Sequence, residues 1–61
     1  MATNMEMIVE QRTRLFFLLK LKKVNNAKGI AVEGLEELII QTEAVMQEED
    51  VAYVEKMVAR L

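Results

Sequence analysis

Sixty-one residues, 52% hydrophobic and 30% charged, with a net charge of −2, describe one small domain at most. No Cys and no His are present, which excludes disulfides and the usual structural zinc site. Ser is absent too, so the common nucleophile–base pairs cannot be built, and no catalytic, cofactor-binding or metal-binding residue is assigned.

The first predicted element is a helix over about residues 4–24. Thr3 with Glu6 reads as a capping box. Acidic Glu6 and Glu10 come early and basic Lys20, Lys22 and Lys23 come late, the order that complements the helix dipole. Within this helix, Leu15, Phe16, Phe17, Leu18 and Leu19 are five consecutive apolar residues, followed by Leu21 and Val24. At about 100° per residue such a run surrounds the helix, and one neighbouring helix cannot cover it. Lys20 and Lys22 alternate with Leu19 and Leu21, so a hairpin strand competes locally. Its return strand would be very short, and an isolated hairpin is marginal.

Asn25-Asn26 supplies residues that tolerate turns, and a loop is expected over about 25–31. A second helix is predicted over about 32–48, with Glu33, Glu36 and Glu37 near its start. Leu35, Leu38, Ile39, Thr42 and Met46 fall on one face at helical spacing. A different stripe runs through Val51, Val54, Val58 and Leu61. This change of phase predicts a break near Glu48 to Asp50, with Asp50 as the N-cap of a short third helix over about 50–61.

The fold class expected is therefore all-α: a helical hairpin of two long helices with a short third helix, packed as a homo-oligomeric bundle. A monomer of this size buries only about 60% of the surface its unfolded chain exposes. Ordering costs roughly 1.5 kcal/mol per residue, which leaves the balance near zero. With disulfides excluded, self-association is the ordinary remaining source of stability. The interface is assigned to Leu15, Phe16, Phe17, Leu18, Leu19, Leu21, Leu35, Leu38 and Ile39, with charged contacts from Arg12, Arg14, Lys20, Lys22 and Lys23.

Charge is divided along the chain. Residues 1–32 carry Arg12, Arg14, Lys20, Lys22, Lys23 and Lys28 against Glu6 and Glu10, a net +4. Residues 33–61 carry Lys56 and Arg60 against Glu33, Glu36, Glu37, Glu43, Glu48, Glu49, Asp50 and Glu55, a net −6. Antiparallel packing of the two halves would offset these charges. The acidic clusters read as solvated helix starts, since the calcium-loop pattern is missing and Asp50 is the only Asp. The longest apolar run, residues 15–19, falls far short of the ~20 residues of a membrane span, and no leader pattern opens the chain. A cytoplasmic location is expected.

The function expected is that of a small non-catalytic protein–protein interaction module, an inhibitor, adaptor or regulator. It would act as a homodimer or higher oligomer with itself and one larger protein as partners. So short a chain suits a phage or mobile element. In outline it resembles the small dimeric helical-hairpin regulators of the Rop type, in shape only and with no shared motif. That resemblance implies the alternative, a dimer binding nucleic acid through a basic stripe on the first helix. A pI near 5.0 and aromatics placed within the apolar run count against it. Interfacial membrane binding needs one polar face, and the charges here are spread around the helix.

Overall fold

A computed structural model describes residues 4–61. Among these the chain is all-helical and without strands: α1 spans Asn4–Ala27, α2 Leu35–Ala44 and α3 Glu48–Ala59. The hairpin alternative is thereby displaced, because Leu19 to Lys22 lie inside α1. Thr3, half of the expected capping box, lies outside the described residues.

The longest helix extends three residues further than its predicted end. Asn25 and Asn26 belong to its last turn and do not form the loop. The stop signal is Gly29, whose φ of 71° is the left-handed conformation that side chains resist. The Gly29 N–H donates to the Asn26 carbonyl at 3.1 Å and the Ile30 N–H to the Asn25 carbonyl at 2.8 Å. This paired closure is the Schellman ending, with glycine at its left-handed position. A second left-handed residue, Gly34 (φ 81°), turns the chain into α2.

The predicted second helix splits earlier than expected. It stops at Ala44, and the break falls at Val45 to Gln47, a few residues before Glu48 to Asp50. Gln47, with extended backbone (φ −73°, ψ 147°), is the N-cap of α3. Asp50 is the third residue of α3, and its carboxylate points across to α1. Glu48, Glu49 and Asp50 occupy the first turn of α3 and Lys56 its last, as the dipole favours.

Cross-helix contacts fix the topology. Lys22, late in α1, meets Glu36, early in α2, so these two helices run antiparallel. Arg12 meets Asp50 at the start of α3, and Lys23 reaches the carbonyls of Val58 and Leu61 at its end. Thus α3 runs parallel to α1. Both short helices pack on α1, and their own backbones hardly approach one another.

The core sits where the two meet α1. Leu15 is fully enclosed, with Leu35 and Ile39 from α2 and Val54 and Val58 from α3 around it. Phe16, Leu18, Leu19, Met46 and Val51 close its margin and stay partly exposed. Thr42 is buried among them, and its hydroxyl donates to the Leu38 carbonyl at 2.7 Å, which satisfies a polar group that water no longer reaches. The body measures 40 × 24 × 17 Å with a radius of gyration of 12.1 Å. A compact domain of this length would have roughly 10.5 Å. The molecule is therefore drawn out along α1.

Candidate interaction surface

The apolar run of residues 15–19 is divided between the interior and the surface. Leu15 is closed off by the chain's own α2 and α3, as are Leu35 and Ile39. These three serve the intramolecular core and have no surface left for a second chain. Phe16, Leu18 and Leu19 are half-buried. Phe17, Leu21 and Leu38 are exposed, at 62%, 45% and 52%. The Phe16 and Phe17 rings meet edge to face, with centroids 6.0 Å apart, so Phe17 is anchored at one edge and open on its other sides.

Three cations of the first half are engaged within the chain. The Arg12 Nε donates to Asp50 Oδ1 at 2.9 Å, with Nη2 as a second donor to the same oxygen. The guanidinium also lies over the Tyr53 ring, 4.8 Å from its centroid. Asp50 and Tyr53 are three residues apart on α3, hence neighbours on one helix face, and together they clasp Arg12 by charge and by π-face. The Asp50 carboxylate is largely buried (side chain 12% exposed), and Arg12 is the partner that makes this burial tolerable. Lys22 pairs with Glu36 at 2.7 Å, and the Lys23 ammonium caps the C-terminal end of α3. The division of charge along the sequence thus resolves into contacts between α1 and each short helix. Among the described residues Arg14, Lys20 and Lys28 make no ion pair.

Open grooves flank α1 on the α2 side. One lies between the N-terminal half of α1 and the α2–α3 turn and is lined by Met7, Ile8, Gln11, Val45, Met46 and Gln47. The next is walled by Gln11, Arg14, Leu18, Leu38, Gln41 and Val45, with Thr42 at its floor. Gln11 and Val45 belong to both. The Gln11 Oε1 is buried with no hydrogen-bond partner. Sequence reasoning did not single out Gln11, because nothing in its neighbourhood marks a polar residue that becomes enclosed by a distant turn. The same holds for Asp50, whose partner stands 38 residues away.

No helix of the described residues is long and apolar enough to cross a membrane, and no group of metal-ligating side chains gathers among them. No protein-family model, curated protein or solved structure matches the chain.

Proposed function

We propose that the chain is a small non-catalytic interaction module that associates with itself and, as an oligomer, engages a larger protein as an inhibitor, adaptor or regulator, in the cytoplasm. The carrying observation is its unburied apolar surface. The chain exposes 5006 Å², whereas a compact monomer of 7.0 kDa exposes roughly 4,000 Å². Large apolar side chains on all three helices contribute: Phe17, Leu21 and Val24 on α1, Leu38 and Ile40 on α2, Tyr53 and Met57 on α3. So many large apolar side chains left in contact with water in so small a domain support contact with other chains.

The competing reading, nucleic-acid binding through a basic stripe on α1, has less support. Arg12, Lys22 and Lys23 are held by Asp50, Glu36 and the end of α3, and Arg14 and Lys28 share their face with Glu10, which leaves Lys20 as the one cation of the first half outside both groups. Sedimentation velocity tests the favoured reading. A dimer or larger species at low micromolar concentration is expected, and a folded monomer at 100-fold higher concentration overturns it. A gel shift with RNA or DNA that weakens steeply with salt would instead favour the alternative.

A further inference from the structure

Self-association leaves two choices, which face pairs and in which direction. Glu10, Arg14, Phe17, Leu21, Val24 and Lys28 are all exposed. Their spacing alternates four and three residues, the pattern that keeps a stripe on one side of a helix over several turns. At 100° per residue, the five within α1 lie about 180–260° around it from the enclosed Leu15, and Lys28, whose N–H still donates to the Val24 carbonyl at 3.2 Å, continues the line one residue past the helix. The stripe therefore occupies the exposed side of α1, with Arg14 at its edge beside the groove to α2.

The stripe is also symmetric about the level of residue 19. Positions equally distant from that level are Phe17 and Leu21, Arg14 and Val24, and Glu10 and Lys28. We propose that two copies of the chain pair antiparallel along this outer face of α1, with the molecular two-fold at the level of residue 19. The proposal rests on the self-association reading above and gives it a face, a direction and a register.

In this register each Phe17 packs on the partner's Leu21. The aliphatic stem of Arg14 lies along the partner's Val24, with its guanidinium free to reach solvent. Glu10 faces the partner's Lys28 at both ends of the seam. Parallel pairing would stack Glu10 on Glu10, Arg14 on Arg14 and Lys28 on Lys28, like charges at three levels of six. Charge complementarity therefore selects the antiparallel arrangement. Among the described residues none of these three side chains has an ion pair within its own chain, so pairing breaks none. A two-fold contact of one face with itself also closes at two copies, whereas a head-to-tail contact between different faces closes only as a ring or extends as a filament.

The chain has no cysteine, so introduced thiols report unambiguously. Chains carrying Glu10→Cys and chains carrying Lys28→Cys are prepared separately, checked for wild-type helicity by circular dichroism, mixed and oxidised. The expected product is a disulfide between one chain of each kind. Glu10→Cys alone is expected to give no linked dimer, because two such residues lie about 27 Å apart along the seam. If the wild type sediments as a dimer while the mixed Glu10→Cys and Lys28→Cys chains give no mixed disulfide, or Glu10→Cys chains alone give a linked homodimer, the seam is overturned and self-association stands. A wild type that sediments as a monomer overturns both.

Discussion

Replacing Leu15 by Ala tests the whole packing scheme at one atom cluster. Leu15 is fully enclosed and touches the buried residues of both short helices, so its truncation empties space on two contacts at once. Leu→Ala changes in enclosed sites cost about 2–5 kcal/mol, the lower part of the range applying where neighbours collapse into the gap. Met46 and Leu19 at the margin are flexible enough to relax partly, which places the cost at about 3 kcal/mol. A 61-residue domain has about 3–9 kcal/mol in total. Unfolding entropy near 2.1 cal/mol/K per residue converts 3 kcal/mol into a fall in Tm of roughly 20 °C. Ala is the better helix former, so helix propensity cannot produce the loss. Thermal melts followed by circular dichroism at one fixed protein concentration measure it. Phe17→Ala, two residues along the same helix, serves as the contrast: it should leave the isolated fold intact and weaken association. A Leu15→Ala melt within 5 °C of wild type, roughly 0.6 kcal/mol by the same conversion, would refute the assignment of the core.

Four further outcomes are expected. Asp50→Ala should destabilise by about 1–2 kcal/mol, reduced from the value of a fully buried charged contact because Arg12 is partly solvated. Combined with Arg12→Met, it should show a coupling of at least about 0.5 kcal/mol in a double-mutant cycle, and strict additivity would remove the contact from the stability account. Gly29→Ala and Gly34→Ala should each cost about 1 kcal/mol by forcing a side chain into a left-handed backbone, since neither site offers a steric clash; unchanged chemical-denaturation midpoints would argue against these turns. Lys23→Met should lower hydrogen-exchange protection in the last turn of α3 while sparing α2, at a cost of about 0.5 kcal/mol. If the chains associate as proposed, the melting temperature of the wild type should rise with protein concentration, and a constant value over a hundredfold range would count against association.

The helices themselves were legible in the sequence, because Pro is absent and good helix formers dominate. Boundaries were less so. The Asn pair invited a turn, but the αL position that ends a helix falls on Gly29, three residues later. Asp50 looked like a cap from local chemistry. Its real partner, Arg12, is distant in sequence and could not be read from spacing. The five-residue apolar run carried no phase of its own: with every position hydrophobic, nothing distinguished inward Leu15 from outward Phe17. Leu38 shares a helical face with Leu35 and Ile39 by spacing, yet it lies at that face's edge and opens onto a groove. The candidate surface was thus half visible. The apolar run on α1 is plain in the sequence, but its division between core and exposed side chains needed the positions of α2 and α3.

Because α2 and α3 lean on α1 far more than on each other, the molecule behaves as two clasps on one rod. Substitutions in α2 and in α3 should then combine with nearly independent effects, whereas either set should couple to changes around Leu15. Such an architecture lets the two short helices drift or be re-engineered separately. The cost is concentrated on the inner face of a single helix, where one side chain must suit both neighbours.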